Sequence, residues 1–113
     1  MATDISQSSE AAIIEADTTQ DSVTLHKDRT YTIVHTGLNA SGGADANTIW
    51  FAQGDVTASW AVGTDKLPVQ DGQSVVVGPA LATLNFKTAA GSPVFSIIPG
   101  VYERGAGYGT REP

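Results

Sequence analysis

His26 and His35 are the only imidazoles in the chain, so any histidine-based metal or acid–base site must be built on them. In SVTLHKDRTYTIV, residues 22–34, a turn at Lys27-Asp28-Arg29 lets Leu25 pair with Tyr31 and Val23 with Ile33. Side chains alternate along a strand, so this register points all four inward, sends His26 to the solvent face and gives His35 inward parity at the strand end. Rings on opposite faces do not converge on one metal at about 2 Å. His35, Asp45 and Ser41 can be drawn as a hydrolase triad. Ser41, however, sits in the Gly-rich stretch HTGLNASGGADANTIW, with no nucleophile elbow or oxyanion arrangement around it. His35 therefore reads as a hydrogen-bonded histidine at the margin of a core.

The other candidate groups are equally isolated. Gly37, Gly42 and Gly43, and later Gly105, Gly107 and Gly109, do not follow a strand and open a helix, the context in which backbone N–H groups cradle phosphate. They read as flexible connections. The Asn39-Ala40-Ser41 sequon matters only in a secreted chain, and MATDISQSSE has no basic or hydrophobic signal segment. Asp45, Asp55, Asp65, Asp71 and Glu103 stand singly, mostly beside turn residues. Trp50 is more informative. If Ile49 and Phe51 face the core, Trp50 faces out, and exposed tryptophans often mark sugar platforms or protein interfaces. No acid, base and nucleophile converge, so no enzyme, metal or cofactor is expected.

The elements that would position these groups are short strands. The chain has 113 residues and no cysteine, which fits one domain without disulfides or thiolate ligands. Net charge is −6, and Asp4, Glu10, Glu15, Asp17 and Asp21 supply −5 of it with no base among residues 1–21. An acidic leader on a nearly neutral body argues against nucleic acid as partner. No apolar run approaches the roughly 20 residues of a membrane span. Strand signals fall at Ala11–Glu15, Ser22–His26, Thr30–Thr36, Thr48–Ala52, Val56–Trp60, Leu67–Val69, Gln73–Gly78, Ala82–Thr88 and Val94–Ile98, separated by Gly, Pro and Asp. The apolar pattern of TLNFKTAAGSPVFSI pairs Phe86 with Phe95 and Leu84 with Ile97, and Asp71-Gly72 suits a type I′ hairpin.

These signals predict an all-β sandwich, jelly-roll-like, over residues 22–100, with an acidic N-terminal arm at 1–21 and a Gly-rich tail at 101–113. Val75-Val76-Val77 is apolar on both parities, which predicts cover from an arm or a neighbouring subunit. In its size, its leader MATDISQSSEAAIIEADTTQD, its Cys-free Thr/Val/Ala/Gly-rich body and its tail VYERGAGYGTREP, the chain resembles the small decoration (cement) proteins of tailed-phage heads. The resemblance is one of architecture and transfers no functional residue. It implies a structural virion protein, made in the host cytoplasm, that binds the outer capsid surface as a dimer or trimer and stabilises contacts between capsomers. Its partners would be the major capsid protein and copies of itself, without nucleic acid or membrane. Ile13, Ile14, Trp50, Val76 and Tyr102 are the expected interface residues. The alternative is a carbohydrate- or receptor-binding β-module with Trp50 or Trp60 as its platform.

Overall fold

The computed structural model describes residues 3–53, 60–62 and 66–101. Among them the chain is all β: β1 (Thr3–Asp4), β2 (Ala12–Glu15), β3 (Asp21–Thr24), β4 (Tyr31–Asn39), β5 (Ile49–Gln53), β6 (Leu67–Val69), β7 (Ser74–Val77), β8 (Thr83–Thr88) and β9 (Pro93–Pro99). They form two sheets, ordered β1-β3-β8-β5-β6 and β2-β9-β4-β7. Alternation along each strand turns one apolar face of each sheet inward, and the two faces meet in one core.

The pairings are nested. β5 pairs with β6, β4 with β7, β3 with β8 and β2 with β9, all antiparallel. The path is that of one long hairpin, rolled so that β4 also meets β9 and β5 also meets β8. β1 is added in parallel beside β3.

This topology corrects the local hairpins expected from the sequence. Val23, Leu25, Tyr31 and Ile33 are all buried, as their parity requires. Yet β3 and β4 belong to different sheets: Val23 pairs with Leu84, and Tyr31 pairs with Val77 and Pro99. Phe86 and Phe95 likewise meet across the sandwich, edge to face with ring centroids 5.0 Å apart, while their strand partners lie elsewhere. Side-by-side pairing and face-to-face packing demand the same parity, so an alternation test does not separate them. Asp71-Gly72 carries the chain from β6 in one sheet to β7 in the other. Its turn is closed by Gln73 N–H on Gln70 C=O at 2.9 Å. Only Gly72 of the two has positive φ, so the turn is not type I′.

The sandwich begins inside the segment expected to be an arm. Residues 3–16 supply β1 and β2, and Ile5, Ile14 and Ala16 are buried. Alternation explains it: in AIIE, Ile14 points into the core while Ile13 and Glu15 point out. Of the expected strand at Val56–Trp60, residues 56–59 lie outside the described residues, and Trp60 is not in a strand. The prolines fall where a missing N–H is tolerated: Pro68 is on edge strand β6, and Pro93 and Pro99 begin and end β9.

Candidate functional site

The end of the sandwich around His35 is built from three connections. β4 overruns β7, and the overhang, which meets β9 again at Asn39–Pro93, folds back on itself through a Leu38–Ala44 bridge and an Asn39 N–H bond to Gly43 C=O at 2.8 Å. Asn39 Oδ1 accepts the N–H groups of Ser41 and Gly43, both at 3.0 Å. The stretch expected to be a flexible connection is thus a closed turn with its own hydrogen bonds. The sequon asparagine holds it.

His35 is wholly buried beneath this turn. Its Nδ1 accepts the Gly37 N–H at 3.0 Å, and its Nε2 lies 2.7 Å from Asn47 C=O. An N–H only donates and a carbonyl only accepts, so the arrangement requires the neutral ring with its proton on Nε2. Both nitrogens are taken by backbone, and none is left to activate Ser41. Among the described residues, no group of three or more His, Cys, Asp or Glu is placed to hold a metal ion. His26 is half-buried and its Nδ1 accepts the Asp28 N–H, which makes it part of a turn.

Asp45 completes the end. Its Oδ2 accepts Ser92 N–H at 2.9 Å, while Oδ1 accepts the Asn47 backbone N–H at 3.2 Å and side-chain amide at 2.7 Å. Gly91 has positive φ here, and a Cβ on it would stand 2.9 Å from Asp45 Oδ2, so glycine is needed for the close approach. Desolvation pushes the Asp45 carboxyl up, but the Ser92 and Asn47 donors outweigh it and hold the group below its ordinary 3.8. A depressed folded-state pKa stabilises the fold above the unfolded value, and the contribution is lost as pH falls through the folded value. Asp45→Ala should therefore cost on the order of 1 kcal/mol at pH 7, and the difference from the parent should shrink below pH 3.8. Urea melts of both proteins across that range check the sign.

The outer face of the β1-β3-β8-β5-β6 sheet carries the tryptophans. Trp50 faces outward as expected, half-buried, with Pro68 and Lys87 as its cross-strand neighbours. Trp60 is buried, with its ring 5.2 Å from Lys87 Nζ and 5.6 Å from Lys66 Nζ. The Trp60 backbone N–H donates to Gln20 Oε1 at 3.0 Å. Ammonium groups over the indole are a cation–π arrangement, so Trp60 is committed to its own protein. Of the two expected platforms, Trp50 alone keeps exposed surface.

The outer face of the other sheet differs in character. Register places Ile13, Ser96, Val34 and Ser74 in one cross-strand row, and Ile98, Thr32 and Val76 in the next. Neither row holds a charged group. Ile13 is 65% exposed and Val76 45%, and Val34 and Ile98 are half-buried between them. Thr32 is buried and its hydroxyl donates to Gly100 C=O at 2.8 Å. Val76 is thus exposed, and its strand is not covered on both faces within the described residues. Ile14, expected at an interface, is instead part of the protein's own core. Tyr102 lies outside the described residues. Ile98 stood out in the sequence as apolar on the second parity of its strand, whereas sequence reasoning missed Val34, whose role shows only once β4 and β9 are known to be neighbours.

The chain matches no protein-family model, no curated protein and no solved structure.

Proposed function

We propose that the protein is a structural virion protein that binds the outer capsid surface and stabilises contacts between capsomers, with the major capsid protein and copies of itself as partners. The observation that carries this reading is the pair of uncharged cross-strand rows on the outer face of the β2-β9-β4-β7 sheet, with Ile13 and Val76 exposed on them and Glu15 at their margin. In a chain of net charge −6, two adjacent charge-free apolar rows are the surface suited to protein contact. Glu15, the last residue of β2, and Glu10 and Asp17, which flank the strand, would meet a basic rim. The jelly-roll form belongs to the same reading. With β1 set aside, the orders β2-β9-β4-β7 and β3-β8-β5-β6 follow a rolled hairpin, and jelly rolls serve as capsid and lectin domains.

The test is co-sedimentation with shells of the virus whose genome encodes the chain. The parent should pellet with shells, and Ile13→Asp, folded by circular dichroism, should bind at least about tenfold more weakly, as loss of a central apolar anchor does. Equal binding by Ile13→Asp, or none by the parent, removes the proposal.

A carbohydrate- or receptor-binding module is the second reading, favoured by one observation: Trp50 faces outward beside Pro68 and Lys87. Its test is a shift in tryptophan fluorescence on titration with sugars that Trp50→Ala abolishes.

A further inference from the structure

A sandwich of two open sheets has four edges, among the described residues β1, β6, β2 and β7. Natural proteins guard such edges with charge, proline or extreme shortness, because unpaired N–H and C=O groups invite another strand. β1 has two residues, one of them Asp4, whose carboxylate Ser6 holds in place with both its hydroxyl and its N–H. β6 has Pro68 at its centre. β2 ends on Glu15, with Glu10 two residues before its start. β7, SVVV, has neither charge nor proline, and its flanking residues Gln73 and Gly78 carry none either.

The register says which groups β7 offers. His35 N–H bonds to Gln73 C=O at 3.1 Å, so His35 and Gln73 form a hydrogen-bonded pair. Antiparallel pairs alternate, which makes Ile33–Val75 and Tyr31–Val77 bonded and Val34–Ser74 and Thr32–Val76 non-bonded. The N–H and C=O groups of Ser74 and Val76 consequently point away from β4, along the open edge. Those of Val75 are used within the sheet.

We infer that β7 pairs antiparallel with β7 of a second copy about a two-fold axis through Val75, joining the β2-β9-β4-β7 sheets of two chains into one continuous sheet. In that register Ser74 and Val76 of one copy exchange N–H···O=C bonds with Val76 and Ser74 of the other. An isologous contact needs a self-complementary surface, and this edge is one. Charge selects the same edge. Two copies of net charge −6 repel, and β7 alone among the four edges brings neither charge nor a missing N–H to the contact. The pairing rests on and deepens the capsid reading, because it doubles the uncharged rows bearing Ile13 and Val76.

The experiment is light scattering of the full chain with two variants. The parent should show twice the monomer mass, more firmly as salt screens the repulsion. Val76→Pro removes an N–H that β4 does not use, so the variant should stay folded by circular dichroism and become monomeric. Val75→Cys places two thiols across a non-bonded pair, where Cα atoms lie about 4.5 Å apart, within the span of about 4.4–6.8 Å that a disulfide bridges. The parent has no cysteine, so an oxidised dimer on a non-reducing gel reports this contact alone. A monomeric parent, a dimer that survives Val76→Pro, or a Val75→Cys chain that does not cross-link overturns the inference. Shell binding is a separate readout: a β7 dimer that ignores shells upholds the pairing and removes the capsid reading, and a monomer that decorates them does the reverse.

Discussion

Phe95→Ala should destabilise the protein by about 4 kcal/mol, as truncation of a fully buried aromatic does. The ring is wholly enclosed and projects from β9 between two rings of the opposite sheet. It meets Phe51 at 5.2 Å and Phe86 at 5.0 Å, both edge to face, while Phe51 and Phe86 are 6.2 Å apart. Removing it leaves a cavity at the point where one sheet grips the other, and loses two favourable ring contacts besides the transfer energy. Phe95→Leu keeps most of the volume and should cost about 1.5 kcal/mol or less. Urea denaturation of the three proteins gives the comparison. Equal losses for Ala and Leu would mean that the rings do not join the sheets.

His35→Phe is the second large effect, expected at about 3 kcal/mol although the replacement is apolar and similar in size. Phenylalanine fills the volume but leaves the Gly37 N–H and the Asn47 C=O facing an apolar ring where two part-buried bonds stood, and each group left unsatisfied away from water costs about 1–3 kcal/mol. The loss should reach the overhang: amide exchange should rise across Gly37–Asn47 while the β2–β9 ladder keeps its protection. Nitrogen-15 correlation spectra of the parent ring should show the proton on Nε2. A proton on Nδ1 would contradict the bonding assigned here.

Much of the architecture was legible because alternation is robust. Eight of the nine strands coincide with expected segments, and inward parity was right at Val23, Leu25, Tyr31, Ile33, Leu84, Phe86, Phe95 and Ile97. β1 was missed: two residues, Thr3–Asp4, carry no period. Pairing partners were misjudged for a physical reason, since a residue beside its neighbour and a residue opposite it bury the same face. The arm was misread because charge dominates its composition, while three small or branched apolar residues, Ile5, Ile14 and Ala16, decide its packing. Of the candidate surface, Ile13 and Val76 were found from their excess of apolar character. Ile98 was legible as apolar on the face opposite Phe95 and Ile97; Val34 looks like a core residue in the sequence, and only the strand order places it on an outer row.

The nested pairing also sets the order of events in time. β9 lies inside its sheet, between β2 and β4, and it is the last strand among the described residues. Until residues 93–99 leave the ribosome, β2 has no partner, β4 has only β7, and Phe51 and Phe86 face an open side. The segment before β9 leaves one side of the core open, so the sandwich should close only once β9 has been made. Such distant partners make for high contact order, and refolding should be slow for the chain's size, in the range of about milliseconds to seconds. During that wait the unguarded edge is not yet formed, which delays association between copies until each is complete.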